Sequence, residues 1–344
     1  MYSLARKVLF TLSGETAHQL ALEGLDAAAR LHLIKPFVDQ PVHAPVEVMG
    51  LTFPNAVGLA AGLDKNADHL AGLGQLGFGF IEVGTVTPRP QPGNPKPRLF
   101  RLPEQEAIIN RMGFNNKGVE HLIAQVKKQR FDGVLGINLG KNLTTSVEQA
   151  VDDYLLGLEA VYPWADYVTV NISSPNTPGL RSLQYGEALM ALLQPLKEAQ
   201  ARLADQHQRY VPLVVKVAPD MDEDELNSVA KTLRDLKLDG VIATNTTLDK
   251  SAVAGLRHGE EAGGLSGRPL TEKACVLTKQ LAQALEGELP IIGVGGISSA
   301  EDAVERIKAG ASLIQLYTGF IYQGPKLVQD CAEALAFVRT SQGQ

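Results

Sequence analysis

From about residue 55 onward, short runs rich in Val, Ile and Leu alternate with longer segments whose apolar residues recur at three- and four-residue steps. The runs occupy residues 55–62, 79–86, 133–140, 167–173, 211–218, 240–245, 290–295 and 312–319. None shows the apolar–polar alternation of a half-exposed strand, so each must be covered on both faces, as parallel strands between helices are. Eight such strands alternating with helices predict an α/β fold, a closed (β/α)8 TIM barrel. Helix punctuation marks the crossovers: acids crowd the turn after Asp220, and Ser298-Ser299 stands just before Glu301.

Two stretches fall outside this repeat. In residues 1–40, Leu4, Val8 and Leu12, then Ala17, Leu20, Ala21, Gly24, Leu25 and Ala28, trace two amphipathic helices broken at Ser13-Gly14. Pro36, Pro41 and Pro45 form a linker into a strand pair around residues 46–53. Between 88 and 110, a Pro-stiffened loop leads into a hairpin of residues 99–101 and 107–110, placed over one end of the barrel as a wall of the site. The expected organisation is an N-terminal helical pair over 1–40 and a barrel over 41–344 that carries this insertion.

Composition narrows the function classes. The 344 residues carry 38 acidic and 32 basic side chains, a formal charge of −6, with 44% apolar and 20% charged residues. That balance suits a globular protein with a sizeable core and weighs against a nucleic-acid partner, which calls for a basic face. Cys275 and Cys331, without CxxC spacing, cannot build a four-thiolate zinc or iron–sulfur site, and no metal is expected. No window approaches the roughly 18 apolar residues of a spanning helix, and Val8-Leu9-Phe10 is too short for a signal core.

Barrel chemistry gathers where strands end. Here the runs end in Lys65, Thr85, Asn138, Asn171 to Ser174, Lys216, Asn245-Thr246, Gly295-Gly296 and Tyr317-Thr318. Two lysines and so many amides at equivalent positions read as one polar site rather than as solvated loops. The glycines after the last two strands either make tight turns or, at this position in such barrels, cradle a phosphate on backbone N–H groups. The amides of residues 110–116 and 171–179 match both edges of a neutral ring such as a pyrimidine, or else make only Asx-turns. Lys65 either meets a carboxylate on that ring or is a surface charge.

Six peptides in order carry a resemblance: Gly58-Leu-Ala-Ala-Gly-Leu-Asp-Lys65, residues 82–94, Asn110-Arg-Met-Gly-Phe-Asn-Asn116, Asn171-Ile-Ser-Ser-Pro-Asn-Thr-Pro-Gly179, Asn245-Thr-Thr247 and Gly264-Leu-Ser-Gly-Arg-Pro269. Over nearly its whole length the chain resembles the class 2, quinone-dependent dihydroorotate dehydrogenases of bacteria. The resemblance implies a barrel with one FMN per chain that oxidises (S)-dihydroorotate to orotate in pyrimidine synthesis and passes the electrons to a membrane quinone. It implies Ser174 as the base that takes the C5 proton while hydride leaves C6. Lys65, Asn110, Arg111, Met112, Gly113, Phe114, Asn171, Asn176, Asn245 and Thr246 are the implied substrate contacts. Ala61, Gly62, Leu63, Asp64, Lys65, Thr85, Asn138, Asn171, Lys216, Thr244, Gly267, Gly296, Tyr317 and Thr318 are the implied FMN contacts. Class 1 relatives use a cysteine where Ser174 stands. No histidine lies near Ser174 in sequence, so its proton must be relayed by threonines, backbone or water.

Residues 1–40 set Arg6, Lys7, Arg30 and Lys35 against Glu15, Glu23, Asp26 and Asp39, a neutral segment in an acidic whole. Alone, these helices read equally well as a packing arm; with the resemblance they imply docking on the lipid bilayer surface and a tunnel for quinone. The expectation is a monomer held peripherally at the cytoplasmic face of the inner membrane. Three readings compete. Another FMN barrel acting on a pyrimidine ring, such as a tRNA dihydrouridine synthase, is disfavoured by the acidic balance. A flavin-free phosphate-binding barrel would be colourless, and an inactive membrane scaffold has no need for Lys65, Ser174 and Lys216 together.

Overall fold

The computed structural model describes residues 2–34, 38, 41–129 and 131–342; Lys35, Pro36 and Asp39, drawn on above for the linker and the charge balance, lie outside the described residues. Helices α1 (Tyr2–Leu9) and α2 (Gly14–Arg30) precede an antiparallel pair, β1 (Val46–Val48) and β2 (Leu51–Phe53). The strands that follow are β3 (Val57–Leu59), β4 (Phe80–Val86), β5 (Leu99–Leu102), β6 (Ala107–Asn110), β7 (Val134–Leu139) and β8 (Tyr167–Asn171). Then come β9 (Leu213–Val217), β10 (Gly240–Ala243), β11 (Gly264–Gly267), β12 (Ile291–Val294) and β13 (Leu313–Leu316). In chain order, β3, β4, β7, β8, β9, β10, β12 and β13 close a parallel barrel wrapped by helices, the expected TIM barrel.

Every residue of these eight strands is buried, which explains the missing alternation. Each strand is shorter than the run that predicted it. Much of the surplus lies at C-terminal ends, where residues such as Ala61-Gly62 and Gly295-Gly296 leave the ladder and line a cavity.

The insertion forms the expected hairpin of β5 and β6, and the structure adds a third strand, β11, antiparallel to β6. Nothing in Gly264-Leu-Ser-Gly267 has strand periodicity. Its extended form comes from tertiary pairing, with Gly264 opposite Asn110 and Gly267 opposite Ala107.

The N-terminal helices are fastened to this insertion. Ser13 caps α2 by accepting the Thr16 N–H at 3.3 Å. Arg98, buried beside β5, forks across both carboxylate oxygens of Glu15. Arg101 donates to the Leu9, Phe10 and Leu12 carbonyls around the C-terminal end of α1 and lies over the Phe10 ring. No residue of α1 is buried, and Leu4 and Val8, one turn apart, are 69% and 62% exposed.

Candidate functional site

Where the barrel strands end, walled on one side by β6 and β11, lies a cavity of about 990 Å³, open solvent at its mouth included. That is enough for a cofactor and a small substrate together. Its supporting wall is a chain of hydrogen bonds between strands. The Glu82 carboxylate, fully buried on β4, accepts from Asn138 Nδ2 (2.7 Å), Tyr167 Oη (2.8 Å) and Gln315 Nε2 (2.8 Å). Asn138 Oδ1 accepts from Thr85 Oγ1 (2.6 Å), which in turn accepts from Asn171 Nδ2 (2.9 Å). Asn171 Oδ1 takes the Ser173 hydroxyl at 3.0 Å, and Asn245 Nδ2 donates to Ser173 Oγ at 3.0 Å. A continuous donor–acceptor sequence of this kind holds each amide in one orientation.

Parallel register sets Lys216 of β9 directly beside Asn171 of β8. Lys216 is buried at the cavity wall and its ammonium makes no hydrogen bond to protein among the described residues. Burial holds it below the usual lysine range, with the Glu82 charge opposing. A buried cation without an acceptor favours an anionic or charge-accepting ligand. Lys65 donates to the Gly62 carbonyl at 2.8 Å. Burial, helped by Arg98, brings its ammonium down to about 8. Thr246 Oγ1 is buried without a hydrogen-bond partner among the described residues.

Ser174 is buried, and its Oγ accepts the Asn176 N–H at 3.2 Å. Asn176 Nδ2 donates to the Asn110 carbonyl at 3.1 Å, so the two amide-rich peptides close on each other. Behind them Arg181 donates to the carbonyls of Ser173 (3.0 Å) and Thr246 (2.8 Å) and pairs with Asp220 (2.9 Å). Sequence reasoning missed this brace, whose members lie on three separate loops. At another side of the cavity Gly296 has φ +73°, and a Cβ there would lie 2.3 Å from the Thr271 nitrogen. Only glycine permits that approach.

The structure brings most of the singled-out residues to this cavity: Ala61, Gly62, Lys65, Thr85, Asn110, Met112, Gly113, Phe114, Asn171, Ser174, Asn176, Lys216, Thr244, Asn245, Thr246, Gly267, Gly296, Tyr317 and Thr318. Four stand outside its lining. Leu63 faces an adjoining apolar cleft, and Asp64 is buried against the N–H groups of Asp68 and His69. Asn138 backs Thr85, while Arg111 pairs with Glu261 at 2.7 Å and lies over Phe100. The lining also includes Ser266, Leu270, Ile297 and Gln315, which sequence reasoning did not single out. Gln315 was detectable as the one polar residue of the apolar stretch Leu313–Leu316; Leu270 and Ile297 carry no such signal.

The apolar cleft lies between α1, α2 and the barrel, with Phe10, Leu25 and Phe320 among its walls, and meets the cavity at Tyr317, which lines both. His18, on its edge, is pushed down to about 4 by burial and by the charges of Lys65 and His69, so it is neutral at pH 7. No described helix is long and apolar enough to cross a membrane.

A family model described as dihydroorotate dehydrogenase matches residues 43–338. A protein of Azotobacter vinelandii described as dihydroorotate dehydrogenase (quinone) is 60% identical over 339 residues, covering 98% of each chain. One of Teredinibacter turnerae with the same description is 61% identical over 336 residues, 98% of this chain and 99% of its own. Among solved structures, DHODH of Eimeria tenella in complex with ferulenol matches with a TM-score of 0.88 at 36% identity, over 98% of this chain and 96% of that one.

Proposed function

The chain belongs to the dihydroorotate dehydrogenase family, and from that premise we propose how its cavity carries out the reaction. Likeness over nearly its full length to quinone-dependent members assigns it the flavin-dependent oxidation of dihydroorotate to orotate with a quinone as acceptor, in pyrimidine biosynthesis. The flavin in this reading is FMN, one per chain, and the residues fit it. Gly267, Gly296 and Thr318 form a small-residue end suited to a phosphate, Thr85, Asn171 and Thr244 offer polar atoms along the wall, and Lys216 is a buried cation whose ammonium has no hydrogen-bond acceptor among the described residues. When bound, FMN supplies the acceptor for the hydride from substrate C6.

The chain's own residues do the rest. Lys65 meets the substrate carboxylate, and Asn110, Asn171, Asn176 and Asn245 present amides to the ring edges, with Thr246 Oγ1 as a further acceptor or donor. Met112, Gly113 and Phe114 shape the pocket around the ring. Ser174 takes the C5 proton as its own hydroxyl proton passes to a relay of water or neighbouring hydroxyl groups, and the Asn176 N–H on its oxygen stabilises the partial negative charge that builds as that proton leaves. Arg111, Leu63, Asp64 and Asn138 act through the neighbours they hold.

The convergence of Lys65, Ser174 and Lys216 with four amides on one cavity carries this reading. Its test is anaerobic: dihydroorotate should bleach the flavin of the purified protein, and quinone, but not NAD or fumarate, should restore the colour. A colourless protein unable to take up FMN sinks the proposal.

Residues 1–40 form the docking and access unit in this reading, and 41–344 the catalytic barrel. Exposed Leu4 and Val8 lie one turn apart on α1 with Lys7 beside them, a pattern that suits an anionic bilayer surface, while Arg6 is turned inward to the Tyr322 carbonyl. The cleft beneath them, meeting the cavity at Tyr317, is the route for quinone. In this reading the protein works as a monomer at the cytoplasmic face of the inner membrane.

A further inference from the structure

Arg306, in the helix Ala300–Lys308 between β12 and β13, is 1% exposed and forms no ion pair among the described residues. Its guanidinium donates to the carbonyls of Gly295 (2.8 Å), Val294 (3.1 Å) and Thr271 (3.5 Å), and its Nε is buried with no partner. The Cys275 thiol interacts with the guanidinium and the Asp302 carboxylate acts on it through its charge alone, its own hydrogen bonds being taken up by the Ser298 N–H and hydroxyl. Carbonyls accept from its two terminal nitrogens but do not neutralise its charge, and a buried cation without an ion-pair partner is costly. Even the barrel makes room for it: a Cβ at Gly293 would lie 2.4 Å from Arg306 Cγ.

Of the carbonyls that Arg306 holds, that of Gly295 belongs to the glycine turn at the cavity. A trans peptide is planar, with its C=O and N–H on opposite edges. Fixing the Gly295 carbonyl therefore turns the Gly296 N–H away from Arg306, and Gly296 lines the cavity. No described hydrogen bond within the protein uses that N–H.

We propose that Arg306 is the charge partner and positioning residue for the phosphate of the flavin nucleotide, aiming the Gly296 N–H at it and supplying positive charge through one peptide plane. The inference rests on the FMN reading above. Charge acting through a dry peptide layer is weakly screened, so its effect is felt at a phosphate that Arg306 never touches.

Riboflavin, which lacks the phosphate, separates this role from a general structural one. In the full-length chain stripped of flavin, Arg306→Gln should raise the dissociation constant for FMN by about tenfold, the scale of a partly buried charge effect, and leave that for riboflavin unchanged. Flavin fluorescence quenching reads both. Equal weakening of the two ligands, or weakening of neither, overturns the assignment. Arg306→Lys, which keeps a cation but cannot fork across two carbonyls, guards against a variant that does not fold. It should fall between the other two for FMN alone, and a shift shared with riboflavin again overturns the role. Wild-type protein that binds neither flavin would instead remove the FMN reading itself.

Discussion

Glu15 of α2 and Arg98 of the insertion, 83 residues apart in the chain, meet through two hydrogen bonds of 3.0 Å, with Lys96 at 3.5 Å from the same carboxylate. Burial alone would raise the Glu15 carboxyl, but the hydrogen bonds and charges of Arg98 and Lys96 outweigh it and hold the group below the usual carboxylate range. A carboxyl lowered in the folded state contributes stability above its unfolded value, near 4.3, and that contribution is lost as pH falls through the folded value. The N-terminal pair should therefore loosen from the barrel only in acid. At neutral pH, Glu15→Gln should mimic that state, leaving Arg98 buried without its anion. Limited proteolysis at the α1–α2 junction should quicken by roughly tenfold while reduction by dihydroorotate in a single turnover is kept. Unchanged cleavage would show that the pair is not what fastens the helices.

Among the described residues Ser174 Oγ has one hydrogen bond, from the Asn176 N–H, and that bond suits its deprotonated form. Ser174→Ala should retain flavin while dihydroorotate reduces it more slowly by roughly 10²–10⁴, the usual reach of a general base. Stopped-flow bleaching under anaerobic conditions measures this. Ser174→Cys should recover part of the loss, with a pH profile shifted to lower values, because a thiol ionises near 8.5. Full-rate bleaching in the alanine variant rules Ser174 out as the base.

Lys65 gives the enzyme an alkaline limb. Burial and the nearby Arg98 charge bring its ammonium to about 8, so in the free enzyme the charge meant for the substrate carboxylate is lost above that value. The expected profile of kcat/KM for dihydroorotate falls on the alkaline side of about 8, chiefly through KM, since bound carboxylate itself favours the charged lysine. Arg98→Met should move that limb upward by removing a neighbouring cation. A limb that stays in place in Lys65→Met, whatever the residual rate, would assign it to another group.

The barrel could be read from the chain because fully buried parallel strands leave long apolar runs, and the eight runs became the eight strands. Residues such as Lys65, Asn171 and Lys216 were legible for a related reason: each is a polar residue at the end of an apolar run, a position this architecture turns toward one mouth. Arg181, Asp220 and Arg306 were not. Their meaning lies in backbone carbonyls and a carboxylate brought together by tertiary packing, and no periodicity marks a residue that serves another residue's peptide group. β11 escaped for the same cause, since a Gly-Leu-Ser-Gly peptide is extended only because β6 pairs with it.

Exposure on α1 gives the last expectation. Leu4 and Val8 form one exposed apolar ridge beside Lys7. Burying two such side chains in lipid is worth about 1.5–3 kcal/mol each, so replacing both with Asp should release the protein from anionic vesicles almost completely. The cleft beneath α1 is a separate feature, walled by Phe10, Leu25 and Phe320 rather than by the ridge. Leu4→Asp with Val8→Asp should therefore lose vesicle co-flotation and raise KM for a long-chain quinone presented in lipid. Turnover with a short-chain, water-soluble quinone should stay near normal. Retained flotation would reduce α1 to a packing arm, and loss of the short-chain reaction as well would mean that the ridge supports the tunnel rather than the membrane contact.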